Sequence, residues 1–132
     1  MEIPADIAAY LKAQDAESKQ ICNSLIEQIN KVLNKAEAKV WHGHPVWFVE
    51  GNPIVGISKK KAGVEILFWS GQSFKKPGLK ALGKFKAAGV IYESFEDVKI
   101  SIIKSWLQES KKVQWDYKNL PKSRQLEKLT DF

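Results

Sequence analysis

Both histidines of the chain, His42 and His44, fall in the stretch Val40-Trp41-His42-Gly43-His44-Pro45-Val46-Trp47. In an extended segment, residues two apart project to the same side, so the pair could begin a metal site. A first-row metal asks for three or four ligands. No third stands beside the pair, and Glu50 and Glu65 are the carboxylates a sheet could bring across. The alternative is that both rings hydrogen-bond backbone at a strand entrance. Trp41, Trp47 and Trp69 lie at predicted strand ends beside Gly, His and Pro, where amphipathic rings can line a pocket for a planar or cationic ligand. Trp41, His42, His44, Trp47 and Trp69 are therefore the candidate ligand-binding residues. Trp106 instead continues a helical apolar stripe and reads as core.

Lys75, Lys76, Lys80, Lys84 and Lys86, interleaved with Phe74 and Phe85, form a candidate anion-binding cluster, with Lys59, Lys60 and Lys61 at a predicted hairpin tip. A solvated loop accounts for the same residues. The net charge of +6 comes from 21 basic against 15 acidic residues, and Arg124 is the one arginine. Lysine makes point contacts to phosphates but lacks the planar fork that reads a base edge. Nucleic acid is thus the least favoured partner, behind a small ligand or another protein. Cys22 is alone, which excludes an internal disulfide and fits a reducing compartment. It lies in a helical apolar pattern with no His or Arg beside it, as a packing residue does.

No phosphate-binding glycine loop, dinucleotide fingerprint, zinc-protease helix, paired-cysteine motif or nucleophile elbow occurs. No serine or cysteine stands where a nucleophile with a histidine base would be recognised, so the residues lead away from an enzyme. No apolar run approaches the ~18 residues of a membrane span, and Met1-Glu2-Ile3-Pro4 opens no signal peptide. A cytoplasmic protein is expected, as a monomer or weak homodimer.

The elements that must position these residues follow from periodicity. Residues 3–13 read as a short helix, and Asp15 can cap a longer one to about residue 36, with Ile21, Leu25, Ile29, Val32 and Leu33 on one face. From Val40 the period becomes extended. Strands are predicted at 46–50, 54–59 and 64–70, joined by Gly51-Asn52-Pro53 and Lys60-Lys61-Ala62-Gly63 as an antiparallel meander. Val64, Ile66 and Phe68 should share one face; Trp47, Leu67 and Trp69 fall to the other, which is too apolar to stand bare and calls for a cover or a groove. Residues 71–88 read as a lysine-rich loop with one helical turn, and 89–93 as a fourth strand. Ser94-Phe95-Glu96-Asp97 has the capping-box pattern for a helix to about residue 112, with Val98, Ile102, Ile103, Trp106 and Val113 on its buried stripe. The expectation is one α+β domain over 1–132, an antiparallel sheet of about four strands packed against N- and C-terminal helices, with 121–132 a charged tail.

The run K-V-W-H-G-H-P-V-W-F-V-E-G-N-P-I-V-G, followed by G-V-E-I-L-F-W-S-G-Q-S-F and later W-x-x-x-S-K-K-V-Q-W-D-Y, resembles the YdhG-like family of domains of unknown function. The likeness runs from the helix before Val40 to about Asn119 and is most specific at Trp41, Gly43, Pro45 and Trp47. It implies a compact α+β domain with helices flanking an antiparallel sheet. Some members are described as frataxin-like iron chaperones that hold iron through carboxylates, so iron is a cargo the resemblance implies; the residues themselves call for no cofactor. Glu17, Glu27 and Glu37 recur at a spacing that drifts around a helix rather than forming an acidic ridge, and no acidic site residue carries over.

Overall fold

The computed structural model describes residues 3–83, 85–120, 126, 128 and 129. Helix α1 (Ala5–Lys12) starts after Pro4 and buries Ile7 and Leu11. Helix α2 (Ala16–Val32) is capped as expected: the Asp15 carboxylate accepts the Ser18 N–H at 2.8 Å and the Ser18 hydroxyl at 2.9 Å. Those two bonds favour the charged form and lower the Asp15 pKa. Ile21, Cys22, Leu25, Ile26 and Ile29 form the buried stripe of α2.

Six strands follow in one antiparallel sheet: β1 (Glu37–Trp41), β2 (His44–Val49), β3 (Asn52–Lys59), β4 (Val64–Phe68), β5 (Lys80–Ala81) and β6 (Ala88–Tyr92), in the order β1-β2-β3-β4-β6-β5. The α+β class holds, but the expected count of about four strands was too low. The two missed strands are the edges, one charged and one only two residues long, features typical of edge strands. The first two hairpins turn on His42-Gly43 and Glu50-Gly51, four residues that all have positive φ. That is the turn whose twist matches paired strands, with glycine at its second position. The second hairpin therefore closes one residue earlier than Gly51-Asn52-Pro53, and Asn52 and Pro53 belong to β3. A register shift beside Trp47 and Phe48 leaves Ile54 as an extra residue in β3.

Cross-strand partners share a face. Trp47 pairs with Val55, Val55 with Phe68, and Ile57 with Ile66, giving the face on which the helices pack. Each such side chain contributes about 1.5–3 kcal/mol by leaving water. Helix α3 (Ile100–Ser110) completes that layer with Ile103, Trp106 and Leu107, and Trp106 donates its indole N–H to the Pro77 carbonyl at 3.1 Å. The Ser94–Asp97 capping box forms, but it closes one 3-10 turn, Phe95–Asp97. Val98 and Lys99 return to extended backbone before α3 starts. The buried stripe is shifted accordingly: Ile102, expected inside, is 44% exposed, and Leu107 takes its place. Among the described residues no helix is long and apolar enough to cross a membrane. The expected tail, 121–132, lies almost wholly outside the described residues.

Candidate functional site

The face of the sheet away from the helices carries the candidate site. On β1 and β2, Glu37 pairs with Phe48, Lys39 with Val46 and Trp41 with His44, which places these six on that face. Val46 pairs onward with Gly56, and Gly56 with Leu67. Trp69, just past β4, lies over Gly56. A Cβ there would stand 3.1 Å from Cζ3 and 3.2 Å from Cη2 of the indole. Glycine in the middle of a strand is what allows the ring to come this close to the sheet.

The rings then gather. Trp41 meets Phe48 edge-on with centroids 5.3 Å apart, and Trp69 is 6.2 Å from Trp41. Tyr117 completes a groove of about 380 Å³ with Trp41, Phe48 and Trp69. His42 and Lys118 stand at its rim, and Pro53 and Leu120 add apolar lining. The wall bearing Tyr117 follows α3 and is held by side chains rather than by regular structure. The buried Asn52 donates to the Trp115 carbonyl at 3.0 Å and accepts the Lys118 N–H at 3.0 Å. Ser70 Oγ accepts the Trp115 N–H at 2.9 Å, and Tyr117 Oη accepts the Lys86 N–H at 3.0 Å. Burial raises the Tyr117 pKa, although the Lys86 bond works the other way.

Charge at the groove is one-sided. Lys118 Nζ donates to the Glu50 carbonyl at 3.0 Å, Lys39 Nζ lies 4.9 Å above the Phe48 ring, and His42 stacks obliquely on Trp41 at 4.3 Å. Among the described residues no carboxylate side chain lines the groove, and Glu37 stands on the same face opposite Phe48. Such a site suits a planar ligand that stacks on the indoles and turns an anionic group to the rim.

Of the residues singled out from sequence, Trp41, His42 and Trp69 are brought together here. Trp47 is not. It sits on the opposite, helix-covered face at 1% exposure, and its indole N–H donates to Asn30 Oδ1 at 3.0 Å. The histidines do not project side by side from one strand either, because His42 occupies the turn with φ 53° and only His44 is a strand residue. Half-burial, then the charges of Lys60 and His42, lower the His44 pKa and favour its neutral ring. Glu65 sits two strands away opposite Ser58, and Glu50 is in the second turn. Among the described residues no three His, Cys, Asp or Glu side chains come together to hold a metal ion. The described residues thus do not gather the clustered carboxylates that iron prefers.

The lysine cluster separates into different places. Lys75 and Lys76 flank Glu109 of α3, Lys80 is exposed on β5, and Lys86 lies 4.7 Å above the Trp115 ring. Lys84 lies outside the described residues. Phe48, Tyr117 and Lys118 are the site residues that sequence reasoning missed. The isolated Gly56 was the available signal for a close ring approach; nothing in the local pattern marks Tyr117.

The fold and site thus define an α+β domain with a six-stranded antiparallel sheet, helices on one face and an aromatic groove on the other. No protein-family profile, curated protein or solved structure matches the chain.

Proposed function

We propose that this is a cytoplasmic, non-enzymatic binding module whose aromatic groove takes a small planar ligand bearing an anionic group. The convergence of Trp41, Phe48, Trp69 and Tyr117 on one groove, rimmed by His42 and Lys118, carries this reading. The volume is that of ordinary small-ligand sites, which run from about 300 to 1,000 Å³. Stacking supplies affinity without a reacting group, in keeping with the absence of a nucleophile–base pair in the sequence. The buried, unpaired Cys22 supports a reducing compartment. Membership of the YdhG-like family is part of the proposal, and it rests on the junction residues Trp41, Gly43, Pro45 and Trp47. Action as a monomer or weak homodimer belongs to it as well.

The test is a titration with aromatic carboxylates and nucleoside monophosphates, followed by tryptophan fluorescence and amide NMR shifts. Binding should quench fluorescence and shift amides of the first hairpin and of residues 115–118. Trp41→Ala should abolish both responses while the domain stays folded. Shifts confined elsewhere, or an unchanged response in Trp41→Ala, would reject the groove as the site.

A further inference from the structure

We propose a second site, for a small ligand carrying a di- or triphosphate group, in the cleft between the loop after Ser73 and the C-terminal half of α3. Among the described residues the cleft, about 610 Å³, is lined by four lysines, Lys75, Lys76, Lys112 and Lys128, and by a single carboxylate, Glu109. Glu109 is already engaged. One oxygen accepts the Lys75 N–H at 2.9 Å and the other the Lys76 N–H at 3.1 Å. This bidentate grip fixes the loop against α3 and ties the carboxylate to backbone, so that among the described residues no carboxylate pairs with the four ammonium groups. The described ion pair, Lys31–Glu27, is elsewhere, on α2.

The two serines of the cleft differ. Ser73 Oγ accepts the Trp115 indole N–H at 3.0 Å, which leaves the hydroxyl hydrogen free to donate into the cleft. Ser105 spends its hydrogen on the Ile102 carbonyl at 2.6 Å and can only accept. The cleft lies beside the carbonyl end of α3, where the helix dipole favours cations over anions. An anion here must therefore be held by lysine side chains, and one phosphate would not engage four. A short chain of phosphates would, with each ammonium making a charge-assisted contact. The concave shape favours a compact ligand over an extended nucleic-acid backbone, which binds along an open groove.

The experiment is calorimetric titration of the protein with inorganic tripolyphosphate, at low and raised salt. We expect saturable binding that weakens with salt. Lys75→Gln/Lys112→Gln should weaken it at least about tenfold, given the worth of hydrogen bonds to charged groups. Lys80→Gln, on β5 outside the cleft, should leave it unchanged. All three proteins are to be compared by circular dichroism and melting to show that they are folded. Absence of binding to the unaltered protein, or equal weakening in Lys80→Gln, overturns the site. So does affinity for single-stranded oligonucleotides that rises steadily with length and displaces tripolyphosphate, which would make the lysines a nucleic-acid surface.

Discussion

The Trp69 ring approaches Gly56 so closely that the Cβ of any other residue there would stand 3.1 Å from its Cζ3 and 3.3 Å from the Pro45 carbonyl oxygen. One glycine thus sets the floor of the aromatic groove. Gly56→Ala should destabilise the domain by about 1–3 kcal/mol, the usual cost of overpacking. Thermal melting measures this. Trp69→Leu should recover part of the loss in the double variant, because it removes the ring that the new methyl meets. Purely additive effects would show that the ring and the glycine are not in contact.

Trp47 and Trp41 should behave as opposites although they are only six positions apart. Trp47→Ala empties a core site and should cost about 3–5 kcal/mol. Trp47→Phe keeps most of the volume but strands Asn30 Oδ1, at about 1–3 kcal/mol. Trp41 is half-buried on the open face, and its removal should cost less stability while eliminating groove binding. Denaturant melts paired with ligand titrations separate the two effects. Equal stability losses would contradict the assignment of the two rings to opposite faces.

Asn52 is the positioning residue for the wall of the groove. Its amide bridges the Trp115 carbonyl and the Lys118 N–H and stands 3.5 Å from the Gln114 side chain. Asn52→Ala should lose about 1–3 kcal/mol through the unpaired groups it leaves. It should also broaden or shift the amide resonances of residues 115–118, with a weaker groove as the consequence. Asn52→Asp keeps the bond from Lys118 and loses the one to Trp115, so its effect on the wall should be intermediate.

Much of the helix layer was readable because one residue type sufficed at each point: Asp15 as a cap, and an apolar stripe repeating through α2. The sheet was readable in class but not in face. Period two makes a strand's orientation depend on where its turn closes, and a one-residue slip exchanges the faces. Grouping Trp47 with Trp69 ignored the register: Trp47 pairs with Val55 and Val55 with Phe68, so Trp47 shares the Phe68 face and Trp69, one residue on, takes the other. β1 escaped notice because Glu37-Ala38-Lys39 has the charge and small residues of a helix end. Tyr117 and Lys118 reach the groove through long-range bonds from Asn52 and Ser70, which leave no periodic trace in the local sequence.

His44 should couple stability to mild acid. Its pKa in the folded protein lies below the ordinary 6.5, because half-burial and the nearby Lys60 and His42 charges disfavour the imidazolium. The unfolded chain then takes up this proton more readily than the folded one. Stability from this residue is fully present above about pH 6.5 and is lost as pH falls from there to the folded pKa. The slope cannot exceed one proton, about 1.4 kcal/mol per pH unit. Chemical denaturation between neutral and weakly acidic pH should show the decline, and His44→Gln should flatten it. An increase in stability on acidification, or an unchanged slope in His44→Gln, would reverse the sign or remove the residue from the account.

Cys22 should be inert in the folded state. It is wholly buried, and burial, with the Asp15 charge adding to it, pushes its thiol pKa up to about 11. Thiolate is the reactive form, so at neutral pH both access and ionisation oppose modification. A thiol-specific chromogenic disulfide should react negligibly with the native protein and completely in denaturant. Cys22→Ala should leave a small cavity and cost about 1 kcal/mol, whereas Cys22→Ser should cost about 1–3 kcal/mol by burying a hydroxyl in an apolar site. Fast labelling of the native protein would mean that α2 opens locally far more often than its buried stripe allows.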